Sequence, residues 1–306
     1  MPVRQYSIRD LAQYSGIKAH TIRTWELRYD LLRPQRTATN IRYYDEHDLR
    51  RLLHIASLCS HGQRISQVMQ LSEQEREQAV LALEATVADN YEAQLNALTM
   101  AMLELNEPLL HRLLTAAISQ HGAEPAMLQL VYPLLQRIGL AWQVGGVLNV
   151  VQEHLVSQLV RQKLLALLDA LPAAPPAGAP RWLLFLPEGE LHELALLFLV
   201  HALRSRGQQV LYLGQNLPLA AVAATCQSYQ PAALLTVLTA GLLPEEVTRY
   251  ATDLRQQCPE PQLIFYGPLA QQLRASLPPA SHLPPLITDV LELIPVVSRA
   301  ANKQRA

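Results

Sequence analysis

Two groups of side chains in this 306-residue sequence have the types and spacing to do chemistry. The first lies in Pro187-Glu-Gly-Glu190-Leu-His192-Glu193-Leu-Ala195, just after the apolar run Trp182–Leu186. A carboxylate two residues before an imidazole can orient that ring for a metal, so Glu190 is read as steering His192. The second group is Lys18, Thr21, Arg23, Thr24, Arg28, Arg36, Arg42 and Tyr43. Long basic and hydroxyl side chains of this kind reach the base edges and phosphates of duplex DNA. No Ser/His/Asp spacing, Gly-rich phosphate loop or carboxylate pair outside capping positions accompanies them, so the sequence predicts no enzyme.

The charge distribution separates the two groups. Through Leu71 there are eleven Lys and Arg against six Asp and Glu; the remainder has fourteen against twenty. A basic head on an acidic body suits a polyanion partner for the head alone. The composition, 50% hydrophobic and 17% charged, is globular. Cys59, Cys226 and Cys258 are too far apart for a zinc or redox motif and read as reduced thiols. The start has no signal-peptide pattern and the apolar runs are too short to span a bilayer, so a cytoplasmic protein without membrane contact is expected.

The elements that must position the head begin with Ser7-Ile-Arg-Asp10, a capping box that opens a helix to about Tyr14, ended by Gly16. A second helix over about 19–28 turns Ile22 and Trp25 inward and Arg23, Thr24 and Arg28 outward. Pro34 and Thr37-Ala-Thr-Asn40 predict a hairpin carrying Arg33, Arg36, Arg42 and Tyr43 along one ridge, with Asn40 left-handed. Asp45 and Asp48 cap a helix to about Ser60, and a short one starts at Ile65.

A capping box at Ser72–Glu75 starts a series of helices: 72–88, 91–105, 108–120, 126–142 and 150–171. Helices joined by short turns make a bundle. The Pro/Ala-rich stretch Leu171–Pro180 is a linker. Beyond it, strands at 182–186, 209–213, 233–238 and 263–266, with a weaker fifth at 281–283, alternate with helices at 191–206, 219–229, 244–257, 269–277 and 287–299. That alternation predicts a doubly wound parallel sheet with its ligand site at the carboxyl ends of the strands. The expected fold is therefore multidomain α and α/β: a winged helix-turn-helix over 1–75, a helical bundle over 76–171, a linker over 172–180, and a flavodoxin-like domain over 181–300.

The run Arg23-x-Trp25-Glu26-x-Arg28-Tyr29-x-Leu31-Leu32-x-Pro34-x-Arg36, then Arg42-x-Tyr44, resembles the head of MerR-type transcription regulators. The resemblance implies a recognition helix over 19–28, a wing over 36–44, and dimers on pseudo-palindromic DNA operators. In that frame Arg23, Arg28, Thr21 and Thr24 face the groove, and Arg36, Arg42 and Tyr43 hold phosphates. Two positions depart from the family pattern: Lys18 stands at the usual serine cap, and Asp30 at the usual glycine.

The segment Pro133-Leu-Leu-Gln-Arg-Ile-Gly139-x-x-Trp142, followed by Glu153-His154, resembles the helical cap beside cobalamin-binding domains. That cap occurs in methionine synthase and in light-sensing MerR-type repressors of carotenoid genes. The resemblance implies that Trp142, Glu153 and His154 cover the upper face of a cobalamin. Ten residues separate Trp142 from Glu153, one more than in the sensors. Glu190-x-His192 is similar to the Asp/Glu-x-His-x-x-Gly motif, whose histidine is the lower ligand of cobalt. Thr236 and Gly267 then stand where the family's Ser-x-Leu and Gly-Gly contact the cofactor's tail, with Ala195 and Pro268 replacing family glycines.

In the sensors, adenosylcobalamin favours a repressing tetramer in the dark, and light breaks the cobalt–carbon bond. A homo-oligomer, dimer or tetramer, on double-stranded operator DNA is the corresponding expectation here. Three readings stay open on the residues alone: a cobalamin-responsive regulator, a regulator whose tail domain serves oligomerisation or protein contacts without a corrinoid, and a corrinoid methyl carrier. In the second, Trp142 is a core anchor and His154 a helix-surface residue.

Overall fold

The computed structural model describes residues 5–37, 39–84, 90–143, 150–172, 175–239, 242–295 and 297, with all of their side chains except those of 77, 81–84 and 139–143. Internal contacts divide the chain into two compact units, 1–160 and 161–306.

In the first unit, α1 (Ile8–Ser15) and α2 (Ala19–Tyr29) form the helix-turn-helix. The Ser7 amide donates to Asp10 at 2.6 Å and the Asp10 amide to Ser7 Oγ at 3.3 Å, which closes the expected capping box. Gly16 ends α1 in the left-handed region, at φ 71°. Lys18 gives α2 no side-chain cap, and Asp30 takes the left-handed C-cap at φ 51° that a glycine would occupy without strain. Strands β1 (Gln35–Arg36) and β2 (Arg42–Tyr43) pair antiparallel, with Asn40 left-handed in the turn at φ 64°. Tyr44 bridges to Tyr6 and donates its hydroxyl to Glu26 at 2.6 Å, tying the wing, the segment before α1 and the recognition helix together.

Asp45 and Asp48 cap α3 (Glu46–Ser60), which is followed by α4 (Ile65–Val68) and α5 (Glu73–Glu84). The remaining helices are α6 (Tyr91–Leu103), α7 (Glu107–His121), α8 (Ala123–Ala126), α9 (Tyr132–Gln143) and α10 (Val150–Asp169). The helix expected over 126–142 is continuous but not α throughout: a π-helical turn, Met127–Val131, precedes α9. A π turn keeps the chain helical and changes only the hydrogen-bond step, from the fourth residue to the fifth. Residues 85–88 of the expected fifth helix, and the Gly145-Gly146 turn, lie outside the described residues.

The head and the bundle share one core, with α3 packed against α5 and α6 and α1 against α6 and α9. Arg137 on α9 donates to the Tyr14 carbonyl at 2.8 Å, Thr99 Oγ1 at 3.0 Å and Asn96 Oδ1 at 3.1 Å. In return Gln13 donates to the Arg137 carbonyl at 2.6 Å. The Tyr14 carbonyl is one of the last of α1 and has no partner within its own helix, so Arg137 completes that helix end. Burial pushes the Arg137 guanidinium down to about 10, against the pull of Glu92.

The second unit is a parallel sheet: β3 (Arg181–Pro187), β4 (Gln209–Leu217), β5 (Ala233–Val237) and β6 (Gln262–Tyr266), in the order β4-β3-β5-β6. Around it run α11 (Leu194–Ser205), α12 (Leu219–Tyr229), α13 (Pro244–Gln257), α14 (Pro268–Gln272) and α15 (Ile287–Glu292). Trp182 through Leu186 are fully buried, as a strand covered on both faces must be.

The expected fifth strand is reduced to one parallel bridge, Ile264 to His282. Prolines at 278, 279, 284 and 285 flank it and remove the amides a ladder needs. The helix expected over 269–277 divides into α14 and a 3-10 turn, Arg274–Ser276, and α15 gives way to a turn at Leu293. The end of that last expected helix, 298–299, lies outside the described residues.

Candidate functional sites: a nucleic-acid face and a histidine crevice

The exposed side of α2 carries His20, Arg23, Thr24, Leu27 and Arg28, spaced so that all five share one face. Ile22 is fully buried behind them, while Trp25 is only half-buried. Thr24 donates to the His20 carbonyl at 2.9 Å, which leaves its oxygen lone pairs as acceptors, and Thr21 is half-buried. Arg28 lies over the Tyr29 ring at 5.4 Å, and Lys18 is exposed at the start of the helix. His20 and Leu27 were not among the predicted contacts, though the i, i+3, i+4, i+7, i+8 spacing with Arg23, Thr24 and Arg28 contains both.

The predicted ridge of the wing is not a single ridge. Arg36 stands opposite Arg42 across the hairpin, whereas Tyr43, one residue on, pairs with Gln35 and donates to its side chain at 2.7 Å. Successive residues of a strand face opposite ways, so Tyr43 is separated from the two arginines. Arg33 leaves the set altogether: it forms a two-point contact with Asp30 at 2.5 and 3.1 Å. Arg36 donates to Asn40 Oδ1 at 2.6 Å and is thereby held on the wing.

In the second unit, His192 sits in the loop between β3 and α11, at the end of the sheet where strand order reverses between β3 and β5. A ligand crevice is expected at that point in an open α/β sheet. The helix predicted from Leu191 starts only at Leu194, because the carboxylate of Glu190 takes the amides of Leu191 and His192, each at 3.0 Å. The same Oε1 meets His192 Nδ1 at 2.6 Å, while Oε2 accepts from the Thr239 amide at 2.8 Å. Glu190 is fully buried and the His192 side chain is 58% exposed.

Burial alone would raise the Glu190 carboxyl, but the bonds from His192 and Thr239 outweigh it and hold the group at about 2. An ionised Glu190 keeps the His192 proton on Nδ1 and therefore puts the ring's lone pair on Nε2, the atom a metal would take. The loop is pinned from the other side by β4: Gly189 donates to Asn216 Oδ1 at 2.9 Å and Glu188 to the Leu217 carbonyl at 3.0 Å. Next to it, Glu193 pairs with Arg161 and accepts from the Tyr212 hydroxyl at 2.9 Å. Thr239 and Asn216 carried no signal in the sequence, since each meets the loop from a distant strand end.

Thr236, near the end of β5, is buried, and its Oγ1 has no hydrogen-bond partner among the described residues. Gly267 follows β6 at φ 112°, and a Cβ there would lie 2.4 Å from the Leu238 carbonyl oxygen. The two departures from the motif are absorbed by the fold: Ala195 is half-buried within α11, and Pro268 is exposed at the first position of α14. Glu153 and His154 lie on α10 in the first unit; Glu153 accepts from Ser157 at 2.8 Å, and His154 is largely exposed, 3.9 Å from Glu153. Trp142 is in the last turn of α9, and its side chain lies outside the described residues.

The residues present suit a cobalt-bearing cofactor. An oriented imidazole and an orphaned buried hydroxyl occur at one end of one sheet.

Residues 6–75 match the model for a MerR HTH family regulatory protein, and residues 94–168 the model for a B12 binding domain. The HTH-type transcriptional repressor CarH of Myxococcus xanthus is 31% identical over 278 residues, 87% of this chain and 90% of CarH. The repressor CarA of the same organism is 30% identical over 257 residues, 82% of each chain. A monomethylamine corrinoid protein of Methanosarcina barkeri matches with a TM-score of 0.52 at 13% identity, over 64% of this chain and 94% of that one, a likeness of fold. Identity and coverage at this level place the chain in the family of the MerR-type HTH transcriptional repressors CarH and CarA, with a B12-binding domain behind the DNA-binding head.

Proposed function

We propose that this protein represses transcription from a specific operator and that a bound cobalamin, adenosylcobalamin in the first instance, sets its affinity for that DNA. The observation that carries the reading is His192, whose Nδ1 is fixed by the buried Glu190 at the crevice of a chain that begins with a DNA-binding head. In the proposed division of labour, 1–75 reads the operator, 76–171 caps the cofactor, 172–180 links, and 181–300 holds it.

Arg23, Arg28, Thr21 and Thr24 are assigned to the groove, and Lys18, Arg36, Arg42 and Tyr43 to phosphates. His192 is assigned as the lower cobalt ligand through Nε2, with Glu190 as its positioning partner. Thr236 and Gly267 line the tail, and Trp142, Glu153 and His154 cover the upper face. When bound, adenosylcobalamin would supply a cobalt–carbon bond that light cleaves. The chain's own residues orient the imidazole, keep its proton on Nδ1 and keep the crevice closed from behind. Dimers are proposed for a two-fold operator, and a cofactor-dependent tetramer for the repressing state.

The test is to add adenosylcobalamin in the dark, then follow absorption, oligomeric size and operator binding before and after illumination. The expected result is a coloured protein whose size and DNA affinity both fall in light. A colourless protein with unchanged size and affinity would overturn the sensing role and leave the regulator alone. His192→Ala is expected to lose the absorption of imidazole-ligated cobalt.

A further inference from the structure

Outside both sites, the second unit holds two thiols that neither site uses. Cys226 lies on α12 and Cys258 at the C-cap of α13, 8% and 2% exposed. The two helices pack together, and both cysteines belong to one apolar cluster. Both also line one cavity of about 560 Å³. Its other walls include Arg181, Ala232 and Pro261, the residues that begin β3 or directly precede β5 and β6. The cavity thus opens at the amino ends of the strands, the end opposite the His192 crevice.

Its surroundings are built. Arg255 donates to the Pro259 and Pro261 carbonyls at 3.0 and 3.1 Å, which fixes the segment following Cys258. Arg181 donates to the Tyr229 carbonyl at 2.8 Å and lies over that ring, which fixes the end of α12. Tyr250 on α13 brings a third group: its buried hydroxyl has no hydrogen-bond partner among the described residues. Cys59 belongs to the first unit.

We infer that Cys226 and Cys258 form a reversible dithiol–disulfide pair that reacts with a low-molecular-weight disulfide entering this cavity. The thiolate of Cys258 attacks one sulfur of the small disulfide, breaking its S–S bond; one thiol leaves and a mixed disulfide remains on Cys258. Cys226 gives up its proton, and its sulfur displaces the second small thiol from Cys258. The protein dithiol is oxidised by two electrons, and the small disulfide is reduced to two thiols. The roles follow from the thiols' mutual bias. Interaction between the two thiols raises Cys226 and lowers Cys258, with the positive charge of Arg255 adding to the lowering.

The full-length protein, incubated in its native state with oxidised glutathione, is then alkylated and mapped by mass spectrometry. The expected result is loss of two of its three alkylatable thiols, a Cys226–Cys258 cross-linked peptide, and recovery of both thiols with dithiothreitol. Cys226→Ser and Cys258→Ser are each expected to form no cross-link and to stop at a glutathione adduct on the remaining cysteine of the pair. Cys59→Ser is expected to close the pair as the natural chain does. The inference is overturned if all three thiols stay alkylatable, if only Cys59 takes up glutathione, or if the cross-link forms only in denaturant.

Discussion

The carboxylate of Glu190 takes the amide proton of Thr239, 49 residues further along the chain, at 2.8 Å. One oxygen of this buried group holds the His192 loop and the other holds the end of β5, so a single side chain closes the crevice from behind. Its folded value of about 2 lies below the usual 4.5. The stabilisation is therefore complete above about pH 4.5 and is lost as pH falls through 2. A difference of this size corresponds to about 3 kcal/mol. Glu190→Gln is expected to flatten the acid limb of the stability curve in that window, measured by urea melts from pH 2 to 6.

The same substitution should weaken cobalamin binding. Loss of a partner that orients a metal-binding imidazole typically costs about 10–100-fold in affinity. Titration of Glu190→Gln with adenosylcobalamin in the dark is the measurement. An unchanged dissociation constant would remove Glu190 from its positioning role.

Arg36 and Arg42 face each other across the wing, whereas Arg33 is already neutralised by Asp30. Alanine at either of the first two should reduce the slope of log K against log salt by about one, with similar loss on all sequences. Arg33→Ala should change the slope less. Fluorescence anisotropy over a salt series distinguishes the three.

Gly267→Ala places a methyl 2.4 Å from the Leu238 carbonyl oxygen at a backbone angle suited to glycine. Conformations of this kind cost a side-chain-bearing residue about 1–3 kcal/mol before any clash is added. Gly62→Ala, at φ 89° with open space around it, should cost only the backbone part. Denaturation midpoints of the two variants give the comparison.

Arg137→Met leaves the Tyr14 carbonyl, Asn96 and Thr99 without their cationic donor. A loss of about 3 kcal/mol from the first unit is expected. Lysine should restore part of it, because all three acceptors meet the single nitrogen Nη1 and an ammonium also offers its donors from one atom, on a shorter side chain. Hydrogen exchange in α1, together with thermal melts, reports both effects.

What the sequence disclosed follows from separation along the chain. The Ser7–Asp10 and Asp45–Asp48 boxes, the Asn40 turn and the Glu190–His192 pair all lie within four residues of themselves, and all were readable. Thr239 and Asn216 reach the His192 loop from other strand ends, and nothing in their local pattern marks them. The π turn at Met127–Val131 escaped because the chain stays helical through it and only the hydrogen-bond step differs. The fifth strand was overestimated because an apolar centre outweighed the four prolines beside it. On the recognition helix, His20 and Leu27 carry neither a fixed cation nor a hydroxyl, and spacing alone places both on the outer face.

The contact between Arg137 and Tyr14 spans 123 positions of sequence. During synthesis, the helix-turn-helix leaves the ribosome long before the residue that completes the end of its first helix has been made. Until then, that carbonyl is left to water and the first helix has no bundle to rest on. A nascent or truncated head would thus be a looser DNA reader than the finished chain, and operator binding would begin in earnest only once the bundle has been translated and folded.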